Sequence, residues 1–227
     1  MVEWGQSRCT RFPSWRVSYN IHGIFFQYKL KKINRKPTLT ALLYDPARSL
    51  GQRWSTLASS TIPRLYHSVA LLLLDGTVLV AGSNPNEMPV LTPQPGAPYI
   101  TDFRVERYTP PYLTGDNLNR RPINITISSK TLTPNQTFNV GFTVPTGAKD
   151  VKIVLYHGGF VTHSLHMGHR MLVLGVSNFV PGQTAQSVTP TTPPNKNICP
   201  PGPYVLYVVV CIKTKTLNNK MLTIGLG

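Results

Sequence analysis

From Thr38 onward the chain is written in short apolar runs parted by turn residues, and within the runs the period is two. TLTALLYD ends at Pro46. HSVALLLL and TVLVAGS flank the pair Asp75-Gly76, a strong short-range hairpin signal. In DFRVERYTPPYL, Phe103, Val105 and Arg107 alternate with Arg104, Glu106 and Tyr108 until Pro110-Pro111 stops the strand. Together these segments predict one antiparallel sheet of about four strands over residues 39–113.

TGDNLNR (114–120) reads as a polar linker and a domain boundary. Beyond it come INITISS, QTFNVGFTV, KDVKIVLYH, FVTHSLHM, RMLVLGVS, YVLYVVVCI and KMLTIGL, with TPTTPPNK as a loop. Seven short alternating segments parted by Pro, Gly, Asn and Thr turns predict an immunoglobulin-like β-sandwich over 114–227. Residues 1–38 show no clear period and form a separate basic segment.

Composition agrees with an all-β class. Charged residues are 14% of the 227, against roughly 25% in average soluble domains, while Pro and Gly number 21 and 17. Tyr204–Ile212, the longest apolar stretch, is far short of the roughly 20 residues a spanning helix needs. The net charge of +15 divides as +7 over 1–38, −1 over 39–119 and +9 over 120–227. Only Lys29–Lys36 is a dense basic run, and it lacks the interleaved aromatics of a nucleic-acid groove, so no nucleic-acid partner is expected. Cys9, Cys199 and Cys211 fit no zinc spacing; the last two could pair across neighbouring strands. The N-terminal MVEWGQSRCT lacks a signal-peptide profile.

Chemistry-bearing residues gather in two places, RLYHS (Arg64–Ser68) and THSLHMGHR (Thr162–Arg170). Imidazole and phenolate donors in a flattened geometry suit Cu(II). On an ideal strand Tyr66 and His67 point to opposite faces, so both reach one ion only where the chain bends, as it can after Pro63. Read as one strand, FVTHSLHM places Val161, His163 and Leu165 on one face. By spacing alone a core histidine is the commoner reading there, and His166 and His169 are expected to be structural.

LYDP, RLYHSVALLLLDGTVLVAGSNPN, VERYTPPYL and NRRP resemble the last Kelch-like propeller blade of the galactose oxidase/glyoxal oxidase family, the copper radical oxidases. FVTHSLHMGHRMLVL and CPPGPYVLYVV are similar to that family's C-terminal immunoglobulin-like early set domain. The resemblance covers about residues 39–210. It implies an all-β fold, with the final blade at 39–113 followed by an early set sandwich at 114–227. It implies Tyr66 as the axial tyrosine of a mononuclear copper site and general base for the substrate's hydroxyl proton, with His67 and His163 as imidazole ligands. The implied activity is oxidation of small aldehydes or primary alcohols with reduction of O₂ to H₂O₂.

In that family a tyrosine thioether-linked to a cysteine stores the second oxidising equivalent, and most of the propeller precedes this region. Nothing around Cys9 or Tyr19 resembles those segments. A truncated product, inactive alone, is therefore expected, with a non-enzymatic β-sandwich module for glycans or a protein partner as the alternative. Lys213–Thr216 departs from the family's turn after the last long strand and weakens the expectation of a final strand. Full-length relatives are extracellular by the same resemblance, and the sequons at Asn124 and Asn135 suit that setting.

Overall fold

The structure, a computed structural model, describes residues 2–3, 16–17, 23–25, 37–45, 48–162, 165–212 and 215–226. Strands dominate it, and the helical content of the described residues is two 3-10 turns, Pro111–Leu113 and Gly115–Arg120. The latter occupies the expected linker. Expectations for Cys9 and Tyr19 lie outside the described residues.

Three short strands come first: β1 (Val2–Glu3), β2 (Arg16–Val17) and β3 (Gly23–Phe25). β4 (Thr38–Tyr44) pairs antiparallel with β5 (Trp54–Arg64), in a sheet ordered β1-β3-β4-β5. β6 (Val69–Leu72), β7 (Val78–Ala81) and β8 (Val105–Tyr108) form a second, three-stranded antiparallel sheet. The single four-stranded sheet expected for this region is thus divided in two. β5 was hidden because its polar run, SSTIPR, shows no apolar alternation, and it captures β4 as a partner. The β6–β7 turn runs as expected through Asp75-Gly76. Gly76 takes φ 86°, and Asp75 Oδ1 accepts from both the Thr77 amide and hydroxyl.

After the linker come β9 (Ile123–Ile127), β10 (Thr131–Leu132), β11 (Val140–Thr143) and β12 (Ala148–His157). They are followed by β13 (Phe160–Thr162), β14 (Leu165–Met167), β15 (Arg170–Val173) and β16 (Gly175–Ser177). β17 (Ala185–Thr191), β18 (Gly202–Ile212) and β19 (Lys215–Leu226) complete the chain. One sheet runs β10-β19-β18-β12-β15-β2 and the facing one β16-β17-β11-β9.

Two differences from the sequence reading matter. FVTHSLHM is two antiparallel strands rather than one, with Val161 opposite His166 and Thr162 opposite Leu165, so Val161 and Leu165 do not share a face; the expectation for His163 lies outside the described residues. β19 begins at Lys215 and pairs along the whole of β18, so the departure at Lys213–Thr216 does not cost the final strand.

β12 and β18 explain the position of the core. Val151, Ile153 and Leu155 of β12 pack with Leu206, Val208 and Val210 of β18 against Val140, Phe142 and Val188 of the facing sheet. The alternate residues Val154, Val205, Tyr207 and Val209 bury the opposite face against Ala70, Leu72, Val78 and Val80 of the β6–β8 sheet and Ala41 of β4. A strand covered on both sides needs an unbroken apolar run, and YVLYVVV is that run. Each fully buried aliphatic chain contributes about 1.5–3 kcal/mol. The central sheet therefore carries the β6–β8 sheet on its outer face, and β13, which leads into the second candidate segment, contacts β6, which follows the first.

Candidate functional site

β5 ends at Arg64 and β6 starts at Val69; the four residues between them turn the chain. The Ser68 amide and hydroxyl both donate to the Leu65 carbonyl, at 3.3 and 2.6 Å. His67 takes the left-handed conformation, φ 59°, which costs a residue with a Cβ about 1–2 kcal/mol. The bend brings Tyr66 and His67 to one side, with ring centroids 4.0 Å apart and planes inclined by 39°. An ideal strand could not do this.

Two sets of contacts hold the bend. Arg64, 1% exposed, directs Nε and Nη2 to Glu106 Oε2 at 3.1 and 2.6 Å, and Nη1 to the carbonyls of Gly82 and Arg104. Ser60 donates to the other oxygen of Glu106. The guanidinium thus pins the end of β5 to the ends of β7 and β8. Gly82 is required here, because a Cβ would lie 2.9 Å from the His67 carbonyl oxygen and its φ is 71°.

The second set comes from the segment after β7. The Leu65 amide donates to Ser83 Oγ at 2.9 Å. The Asn84 amide donates to the Tyr66 carbonyl at 2.6 Å, and the Asn84 carbonyl accepts from His67 Nδ1 at 3.1 Å. A carbonyl can only accept, so Nδ1 carries the hydrogen and the ring lone pair is on Nε2. A phenol beside an imidazole of that tautomer is a donor set that suits copper.

His163 lies outside the described residues. The hairpin that flanks it, β13 and β14, packs through β13 against β6, the strand that leaves His67. Among the described residues no three His, Cys, Asp or Glu side chains gather as metal ligands.

His166 and His169 contact each other instead. His166 Nδ1 is 3.2 Å from His169 Nε2, the rings are 4.3 Å apart, and Tyr156 stacks on His169. Burial, with His169 adding to it, pushes His166 down to about 3, and burial lowers His169 as well. His166 Nε2 has no hydrogen-bond partner among the described residues. Cys199 is a buried free thiol, so the pairing with Cys211 that sequence left open is not formed.

Gly82 and Asn84 escaped the sequence reading, and Arg64, though part of the RLYHS segment, was not recognised as its anchor. Their roles depend on contacts 17 to 42 residues away in the chain, which no local spacing encodes.

The family described as Glyoxal oxidase N-terminus matches residues 28–112, and that described as Galactose oxidase-like, Early set domain matches 121–215. Aldehyde oxidase GLOX1 of Arabidopsis thaliana is 39% identical over 181 residues, covering 77% of this chain and 29% of its own length. Aldehyde oxidase GLOX of Vitis pseudoreticulata is 37% identical over 177 residues, covering 76% and 32%. A WSC domain-containing protein of Arthroderma benhamiae is 35% identical over 173 residues, covering 76% and 17%. The chain spans about a third or less of these relatives.

Proposed function

Because the chain belongs to the galactose oxidase/glyoxal oxidase-like family, we propose that it carries the copper-ligand part of an oxidase acting on small aldehydes or primary alcohols. The matched relatives named aldehyde oxidases favour aldehydes among these substrates.

The observation that supports this reading is the bend at Tyr66 and His67, which sets a phenol beside an imidazole whose lone pair is on Nε2. Tyr66, His67 and His163 are the proposed ligands. A bound copper ion supplies one-electron redox chemistry. The protein's contribution is to orient these donors and to move a proton: the Tyr66 phenolate oxygen accepts the hydroxyl proton of an alcohol or hydrated aldehyde. The left-handed turn keeps His67 beside Tyr66, so the pair is preorganised before any ligand arrives.

Oxidising an alcohol or aldehyde removes two electrons, and the family's thioether-linked tyrosine, which stores the second equivalent, has no recognisable counterpart in these 227 residues. The 227-residue polypeptide expressed as written therefore binds Cu(II) without turning over substrate. The proposed early set location of His163, in the second domain, makes the two domains joint owners of the site.

The test is titration of the purified chain with Cu(II), followed by electron paramagnetic resonance, and a peroxide assay with glyoxal and methylglyoxal. Nitrogen hyperfine structure that weakens in both His67→Ala and His163→Ala is expected, with no peroxide. Copper binding indifferent to both substitutions would remove the ligand assignment. Copper-dependent peroxide from the chain alone would overturn the claim of inactivity.

A further inference from the structure

Asn84 touches both members of the Tyr66–His67 pair through its backbone. Its amide donates to the Tyr66 carbonyl and its carbonyl takes the His67 Nδ1 hydrogen. What fixes that backbone is its side chain. Asn84 Oδ1 accepts from the Asn86 amide at 3.2 Å and from the Thr101 hydroxyl at 3.1 Å. Thr101, 8% exposed, is held in turn: its Oγ1 accepts from the Val90 amide at 3.0 Å, and its own amide donates to the Val90 carbonyl at 2.7 Å. The next residue closes the ring, since the Asp102 amide donates to the Ser83 carbonyl at 2.8 Å. Residues 83–86 and 99–102 are thereby clasped across a loop that has little regular structure of its own.

We propose that Thr101 and Asn84 are positioning residues for His67: their side-chain hydrogen bond aims the Asn84 carbonyl at Nδ1 and so selects the imidazole tautomer that presents its lone pair at Nε2. This rests on the reading of His67 as a copper ligand. The physical reason is specific. In water a neutral imidazole exchanges between its two N–H forms, and only an acceptor at a fixed position makes one of them dominant. A backbone carbonyl in an irregular loop is such an acceptor only if the loop cannot rotate it away. The Thr101 hydroxyl uses its single hydrogen on Asn84 Oδ1 and its lone pair on Val90, so both sides of the clasp are tied through one buried oxygen. Outer partners of ligating histidines raise metal affinity by about 10–100-fold. The clasp acts one bond further out, and about tenfold is expected from it.

The experiment uses the full chain with three substitutions. Thr101→Val keeps the shape and removes the hydroxyl; Thr101→Ser restores it; Asn84→Ala removes Oδ1 while leaving the backbone groups. Far-ultraviolet circular dichroism checks that each is folded, and Asn84→Ala serves if Thr101→Val is not. On metal-free ¹⁵N-labelled protein, long-range ¹H–¹⁵N correlation reads the His67 tautomer directly. The wild type and Thr101→Ser should show protonated Nδ1; Thr101→Val and Asn84→Ala should show a mixture. With Cu(II) as the only added ligand, the last two should bind about tenfold more weakly and Thr101→Ser within about threefold of wild type. An unchanged tautomer and unchanged affinity in Thr101→Val and Asn84→Ala, while His67→Ala loses copper, would overturn the clasp and leave the ligand reading standing. Copper binding unaffected by His67→Ala would sink the ligand reading, and the tautomer measurement would still judge the clasp.

Discussion

Arg64 occupies a position where a charge has been taken almost wholly out of water and given four hydrogen bonds in return. Removing one partner of such a pair leaves the other uncompensated and costs about 3–5 kcal/mol. Arg64→Met should lower stability by that amount in urea denaturation, and a loss under about 1 kcal/mol would show the pair to be incidental. His166 gives a second test at this scale. Burial holds its folded-state value at about 3, below the ordinary 6.5, so the unfolded chain binds the extra proton between those values. Its contribution to stability is complete above pH 6.5 and is lost as pH falls from 6.5 toward 3. His169, lowered by burial too, acts in the same direction. The stability lost between pH 7 and pH 5 should shrink in His166→Gln, and an unchanged pH slope would count against the burial argument.

At the scale of elements, the β13–β14 hairpin hangs on a glycine for lack of space. A Cβ on Gly159 would fall 1.7 Å from the Met167 carbonyl oxygen and 2.8 Å from the His169 amide nitrogen. Gly159→Ala should raise hydrogen exchange across 158–170 while the sheets around Leu155 and Leu206 keep their protection; unaltered exchange in the hairpin would refute this. The hairpin also shows where sequence reading stopped. Period two in FVTHSLHM is real in each arm, but two three-residue strands and one longer strand have the same pattern, and only pairing distinguishes them. β17 was hidden for a different reason. Its inward positions are Gln186, Val188 and Pro190, and Gln186 is buried because its amide bonds the carbonyls of Val180 and Gln183. A polar residue satisfied inside a core is invisible to any hydrophobicity pattern. The all-β class, the β6–β7 hairpin and β18 were legible because apolar alternation and turn chemistry agreed there. The bend after Pro63 was foreseeable as a need of Tyr66 and His67, but Gly82 and Arg64, which make it, were not.

For the molecule as a whole, the decisive feature is that β12 and β18 serve two cores at once. Leu206 faces the sandwich interior, while Val205, Tyr207 and Val209 beside it face Leu72, Val78 and Val80 of the β6–β8 sheet. The Tyr207 hydroxyl reaches the Leu73 carbonyl across the same seam. The apolar face of the three-stranded β6–β8 sheet is buried against the central layer, so the burial that stabilises it is shared with β12 and β18. Loss of either core should therefore destabilise both. Leu72→Ala, on the small sheet, and Leu206→Ala, in the sandwich, should each cost about 2–5 kcal/mol and shift one common transition, with far- and near-ultraviolet circular dichroism coincident. Two separable transitions, with Leu72→Ala moving only the earlier one, would mean that the sandwich folds without its outer layer. In that case the Tyr66–His67 bend could open while the sandwich stayed intact, and copper affinity would fall with the first transition alone. A single transition instead ties the Tyr66–His67 bend to β18, buried from Tyr204 to Val210, which is the rigidity that a proposed site shared between two domains requires.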